Sequence, residues 1–264
     1  MRDLLIALLY GTMQGITEWL PVSSTGHMIL LDAILPLPTS AAFRAFFLVA
    51  VQLGSMMAVP LTFPRRFTPD RPLWGRVLAA SIPAAVCGLI LDDFIEARLS
   101  SPITVAITLA AYGAAFLFIG HRRGRITDPA ALTPRQILGI GFAQALALIP
   151  GTSRSGATML GGRLVGLSPA CAAEFSFLLA MPTMLGAVGL KTAKLILGLM
   201  QGEPAPTPAE WMILAAASAA AYLVSRSAIR FLLDFVTRRG FAAFGVYRIT
   251  LAAVVLCAHL GGWV

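Results

Sequence analysis

Between Gln14 and His27 the chain reads Gln-Gly-Ile-Thr-Glu-Trp-Leu-Pro-Val-Ser-Ser-Thr-Gly-His. A carboxylate, an amide, two serines, two threonines and a histidine stand together there. A second polar cluster, Ser153-Arg154-Ser155-Gly156-Ala157-Thr158, lies in the other half of the chain. Gln14 and Glu18 are four apart and share a face if that segment is helical. Ser24 and His27 share one if a helix restarts at the Ser-Ser turn, where either serine is a good N-cap. A helix N-terminus attracts anions, so Ser23, Ser24, Thr25 and Gly26 form one candidate anion cradle. Ser153, Ser155 and Gly156 form another, and Arg154 adds a planar fork suited to phosphate. Thr158 offers a further hydroxyl. Glu18 would repel a bare phosphate unless a divalent cation bridged the two, and Mg²⁺ is often held by one or two carboxylates plus substrate phosphates. Glu18, with Gln14 beside it, is therefore the candidate metal position. Ser24 or His27 could attack phosphorus or move protons.

Taken singly, each residue has a plainer reading. The serines could only cap helices, His27 could be a hydrogen-bonded interior histidine, and Glu18 could pair with Arg154 for structure. Gln52 could bond across helices. His121 and His259 read as structural, and Glu174 as a favourable charge near a helix start. Cys87, Cys171 and Cys257 lack metal-ligand spacing and read as packing residues.

The elements that must position these groups are membrane elements. Of 264 residues, 58% are hydrophobic and 12% charged, and mean hydropathy is +0.82. A soluble domain carries roughly twice that charged share. The pattern predicts an all-α polytopic integral membrane protein, one membrane domain over residues 1–264. Crossings are expected at about 43–62, 74–91, 103–119, 174–199, from 211 onward and 241–260. Two polar turns are flanked by runs too short to cross, 4–10 with 28–35 and 137–149 with 157–165, and these predict two re-entrant hairpins. Arg2 is balanced by Asp3 and the first apolar run leads straight into the polar motif, so no cleaved leader is expected.

The formal net charge of +8 is clustered between apolar runs, which fits membrane topology rather than nucleic acid. Arginines follow the first crossing (Arg65, Arg66, Arg71), the third (Arg122, Arg123, Arg125, Arg135) and the fifth (Arg230, Arg238, Arg239). Acidic residues mark the intervening loops, Asp92, Asp93 and Glu96 in one, and Glu203 and Glu210, without Lys or Arg, in the other. Both termini are then expected outside. An offset of 130 aligns Gln14 with Gln144, Gly26 with Gly156 and Phe47-Leu48 with Phe177-Leu178. Two repeats, about 1–125 and 131–264, each holding one hairpin and three crossings, would be inverted in the membrane. The two hairpins would meet near its midplane.

At residues 14–27 and at Pro150-Gly-Thr-Ser-Arg-Ser-Gly-Ala-Thr158 the sequence resembles the two signatures of the bacterial undecaprenyl-diphosphate phosphatase family, also called the bacitracin-resistance protein family. Gln52-Leu-Gly-Ser55, Glu174-Phe-Ser-Phe-Leu-Leu-Ala180 and Tyr247-Arg-Ile249 match in the same order. The resemblance implies an enzyme of the bacterial inner membrane. It would hydrolyse undecaprenyl diphosphate to undecaprenyl phosphate and inorganic phosphate, and so recycle the lipid carrier of cell-wall synthesis. It also implies inverted repeats with two re-entrant hairpins, a site open to the outer face, and a divalent cation such as Mg²⁺ or Ca²⁺. Carried over by position, Glu18, Ser24, His27, Ser153, Arg154 and Thr158 match functional residues. Gln14 stands where the best-known members have glutamate. A transporter of polyprenyl phosphate is the alternative activity, and a scaffold without chemistry a third. A homodimer is carried as an expectation beside the lipid substrate and the bilayer.

Overall fold

The computed structural model describes residues 1–67, 71–119 and 124–264, without the side chains of Ala42, Arg71, Asp92 and Glu96. The expectations for His121, Arg122 and Arg123, and for those four side chains, lie outside the described residues. The chain is helical: α1 (Arg2–Thr17), α2 (Ser24–Ile34), α3 (Ala41–Met56), α4 (Ala58–Thr62), α5 (Arg71–Leu99), α6 (Pro102–Ile119), α7 (Pro134–Ala145), α8 (Arg154–Leu164), α9 (Pro169–Met200), α10 (Pro208–Arg239) and α11 (Ala242–Leu260). Among the described residues the β-structure is one isolated bridge, Ile126 to Leu167.

Among the described residues six stretches are long and apolar enough to cross a membrane: Phe43–Thr62, Pro72–Leu91, Pro102–Ile119, Pro169–Met200, Pro208–Arg239 and Ala242–Leu260. At 1.5 Å per residue, roughly 20 residues cover the hydrocarbon core. Ile90, Phe118 and Leu223 project from these helices with most of their surface exposed, as lipid-facing side chains do. The protein is a multi-pass membrane protein. α1, α2, α7 and α8 are shorter, at 16, 11, 12 and 11 residues.

Local sequence explains the helix starts. Thr133 with Gln136 and Thr207 with Glu210 each form a full capping box, with proline at the first helical position. Ser168 caps α9 by accepting the Cys171 N–H, again ahead of a proline, Pro169, because proline's fixed φ and missing N–H cost nothing at that position. This corrects the expected start near Glu174. Glu174 lies beyond the first turn and pairs with Arg66 at 2.6 Å, so its role is an ion pair rather than a terminal charge. α1 also outruns the short apolar segment expected, because Thr12, Gln14 and Thr17 are accommodated on the helix. The Thr17 hydroxyl donates to the Met13 carbonyl. Gln52 does not bond across helices but donates to Leu48 in its own. Cys171 is buried, but Cys257 is exposed on the bundle surface rather than packed inside.

The helices pair by close backbone approach. α1 lies on α10, α6 on α11, α5 on α7, and α3 against both α9 and α10. Gly11 and Gly15 of α1 face Ala217 and Ala221 of α10, and a Cβ at Gly11 would overlap the Ala217 carbonyl. Small residues four apart let membrane helices touch where lipid supplies no hydrophobic drive between them. Gly11→Val is therefore expected to push α1 off α10 and destabilise the protein by about 1–3 kcal/mol, read as a lowered thermal midpoint in detergent. An unchanged midpoint would mean that this contact does not hold α1 in place.

Candidate functional site

Two breaks bring the polar clusters together. α1 ends at Thr17 with Glu18 as its C-cap, and the chain turns through Pro21 into α2. α7 ends at Ala145, passes through a 3₁₀ turn (Leu146–Leu148) and leads into α8 at Arg154. The starts of α2 and α8 share one geometry. Ser23 has φ 70° and ψ 102°, and Ser153 has φ 70° and ψ 119°; among the described residues they are the only non-glycines with positive φ. Each accepts the N–H of the third helical residue, Gly26 at 3.4 Å and Gly156 at 3.2 Å. The first two N–H groups of each helix have no carbonyl within the helix to serve. Left-handed serine costs roughly 1–3 kcal/mol, and such strain persists where the surroundings over-determine it.

The two turns are joined by charge. Arg154 Nη2 donates to Glu18 Oε1 at 2.7 Å. Its Nη1 donates to the Ser176 carbonyl at 3.0 Å, and its guanidinium lies 5.6 Å from the Trp19 ring centroid. Glu18 Oε2 accepts from Gln14 Nε2 at 2.7 Å and from the Ser24 hydroxyl at 3.4 Å. Glu18 is thus held by three donors, with Ser24 the loosest. Arg154 has spent two of its five N–H groups.

A cavity of about 400 Å³ opens beside this pair, with Glu18, Ser23, Ser24, Thr25, Ser153 and Arg154 in its wall. Its remaining wall is mostly apolar, from Ala84 and Leu89 of α5, Leu148, and Ala187 and Leu190 of α9. A smaller one of about 170 Å³ shares Ser24, Thr25 and Gln52 and reaches Gln14, Tyr10 and the Arg44–Asp32 ion pair.

Gly26, His27, Ser155, Gly156 and Thr158 stand behind the wall of the larger cavity. Ser155 donates to the Leu20 carbonyl at 3.1 Å, a link between the two turns. Thr158 pairs with Ser176 at 2.6 Å and bonds the Arg154 carbonyl. His27 has both ring nitrogens engaged. Nδ1 lies 2.7 Å from the Ser23 carbonyl, which fixes it as the N–H; Nε2 then accepts from the Tyr247 hydroxyl at 2.6 Å, with the rings stacked.

Two residues of α11 without a role in the sequence reading enter here. Tyr247 holds His27. Arg248 is fully buried and donates to the carbonyls of Pro21 at 3.1 Å, Gly151 at 3.0 Å and Thr152 at 2.9 Å. It therefore ties the first turn to the second. A lone arginine inside an apolar helix was the available signal.

Among the described residues of the larger cavity Glu18 is the one acidic group, and Gln14, which lines the smaller cavity, turns its amide nitrogen toward it. Among the described residues no group of three or more His, Cys, Asp or Glu could hold a metal ion. The donor set does not make a closed metal cage. It fits a cation that arrives with substrate phosphates, for which one carboxylate suffices.

Residues 7–254 match the family model described as "Bacitracin resistance protein BacA". The chain is 43% identical over 273 residues to the undecaprenyl-diphosphatase of Streptococcus thermophilus (strain ATCC BAA-250 / LMG 18311), covering 96% of this chain and 92% of the relative. It is 39% identical over 272 residues to the undecaprenyl-diphosphatase of Enterococcus faecalis, covering 96% of each. It is 43% identical over 266 residues to undecaprenyl-diphosphatase 1 of Clostridioides difficile (strain 630), covering 95% and 94%.

Proposed function

The chain belongs to the bacitracin resistance protein BacA family, and from that premise we propose how its cavity performs the family's chemistry. It hydrolyses undecaprenyl diphosphate to undecaprenyl phosphate and inorganic phosphate, returning the lipid carrier to cell-wall synthesis. The observation that carries this reading is the Glu18–Arg154 pair, one partner from each turn, with the Ser24 hydroxyl on the carboxylate oxygen that Arg154 does not take and Gln14 shares.

The diphosphate is held by the unspent N–H groups of Arg154 and by the N-termini of α2 and α8, which favour anions. The prenyl chain follows the apolar wall. Ser24 is the nucleophile: its oxygen attacks the terminal phosphorus, its proton passes to Glu18, and the bond to the bridging oxygen breaks. Undecaprenyl phosphate leaves, and water then hydrolyses the phosphoserine. Glu18 is the base, oriented by Gln14 and Arg154, the nucleophile–base–orienter arrangement of covalent catalysis. The hydroxyl-to-carboxylate distance of 3.4 Å is long, as such bonds often are before substrate binds. His27, engaged by Tyr247 and Ser23, positions the start of α2. Glu18 and Gln14 would hold a divalent cation delivered with the substrate, and that ion would neutralise charge developing on the phosphates.

The two-fold likeness of the turns supports an inverted repeat with re-entrant hairpins. Ser23 and Ser153 share a backbone geometry 130 residues apart, and each opens an 11-residue helix. The packing is exchanged between halves, α1 resting on α10 and α7 on α5. The arginine loops at 65–71, 122–135 and 230–239 support a cytoplasmic placement for those ends. Both termini are then outside. The cavity wall includes Gly88, Leu89, Ala187 and Leu190, all in the second halves of α5 and α9, which supports a site that opens outward.

A carrier of polyprenyl phosphate is not favoured, because binding one phosphate needs no hydroxyl beside a carboxylate. Purified protein in detergent is expected to release inorganic phosphate from undecaprenyl diphosphate and to carry label on Ser24 when quenched during turnover. Lipid movement without phosphate release would replace the enzyme by a carrier, label on His27 would exchange the nucleophile, and an unlabelled, active protein would favour direct attack by water.

A further inference from the structure

We infer that Gln144 is a substrate-binding residue, its carboxamide donating to a phosphate oxygen of the bound diphosphate. This rests on the diphosphate reading above. Gln144 is 2% exposed, and among the described residues neither its Nε2 nor its Oε1 has a hydrogen-bond partner. It sits on α7, one turn before the chain breaks toward Arg154, and forms part of the wall of the cavity that also holds Glu18, Ser24, Ser153 and Arg154. A buried amide with both ends unmatched is costly, and native proteins keep few of them.

The sequence explains why it is unmatched. Gln14 and Gln144 are separated by the same 130 residues that separate Ser23 from Ser153. In the first turn the residue four positions on is Glu18, and Gln14 donates to it at 2.7 Å. In the second turn that position is Leu148, whose side chain can accept nothing. The amide of the second turn is therefore built without the partner that its counterpart has. Glu18, the acceptor in the cavity wall, already takes Arg154, Gln14 and Ser24. A phosphate group supplies acceptors in that space, next to the arginine that draws it there. The amide turns into the cavity when the diphosphate arrives, and the cost carried by the free protein is recovered on binding.

Gln144→Met removes the amide and keeps the shape, so stability and function should move in opposite directions. The substrate-free variant should melt about 2–4 °C higher in detergent, the scale on which a modest gain appears in a protein of this size. Its kcat/KM for undecaprenyl diphosphate should fall about 10- to 100-fold, the worth of one hydrogen bond to a charged group, mainly through KM. Unchanged kinetics would overturn the proposal, and if Arg154→Ala is inactive in the same assay the diphosphate reading stands without it. A lower midpoint or failure to fold would also overturn it, because the amide would then have a structural partner. Gln144→Glu separates a donor to phosphate from a ligand to a cation. As a donor site it should be less active than Gln144→Met through repulsion, whereas higher activity would overturn the assignment.

Discussion

Arg154→Ala is expected to lower phosphate release by about 10³-fold or more while leaving a folded protein. Arginines that hold a transferring phosphoryl group are worth roughly 10³–10⁵ in rate. Arg154 has a second task, because it is the positive partner of a carboxylate whose side chain is 7% exposed. Truncation removes the anion clamp and leaves Glu18 unpaired beside the space that a diphosphate must enter. The two losses act in one direction, since an uncompensated carboxylate repels the substrate that the arginine would have drawn in. Arg154→Lys restores the charge without the fork that reaches Glu18 and the Ser176 carbonyl together, so it should recover only part of the activity. Glu18→Gln keeps an acceptor for Arg154 but is a far weaker base for Ser24, and should be as inactive as Arg154→Ala with a smaller loss of stability. Phosphate release per folded molecule, with folding checked by size-exclusion and thermal melting, reads all three. More than about a tenth of normal turnover in Arg154→Ala would remove this pair from the reaction.

That pair marks the boundary of what the sequence could disclose. Each half of the site is local. Glu18 and Ser24 lie six residues apart, and Ser153 adjoins Arg154, so polar clusters in an apolar chain expose both halves. The contact between them spans 136 residues; the sequence offered it only as the plainer, structural reading of Glu18, because it depends on how α1, α2, α7 and α8 pack, which composition does not fix. The crossings were legible because length and hydropathy are properties of short windows: Phe43–Thr62 appears as expected, and the second and third start within two residues of expectation. The start of α9 was displaced because hydropathy alone ignores Ser168-Pro169, a capping signal that overrides where the apolar run begins. His27 looked reactive by type and spacing, but Tyr247, 220 residues away, occupies its outer nitrogen. Gln144 was visible only as a repeat match, because an unmatched amide is a property of surroundings. Arg248 stood in the open in an apolar helix, yet its partners are backbone carbonyls, which carry no sequence signal.

Those carbonyls make Arg248→Met the second large effect. Helix breaks leave carbonyls without intrahelical donors, and where the arginine that serves them is fully buried no solvent substitutes for it. Arg248 supplies donors to Pro21 on one side and to Gly151 and Thr152 on the other, while its guanidinium lies 5.6 Å from the Tyr112 ring centroid. Methionine fills much of the volume but donates nothing. Burying a cation has its own cost, and removing it offsets part of the loss. Three unmet carbonyls at about 1–3 kcal/mol each outweigh that relief, so a net destabilisation of about 2–4 kcal/mol is expected. Activity should fall further than stability, by about 100-fold or more. The same bonds set the spacing of the two turns, and a shift of about 1 Å in reacting groups can cost roughly 10²-fold. Arg248→Lys tests which property matters. Its single ammonium keeps the charge but cannot span both turns as a planar fork does, so it should remain at least about 10-fold impaired. If the lysine variant works normally, charge alone suffices and the bridge is not what holds Ser24 opposite Arg154.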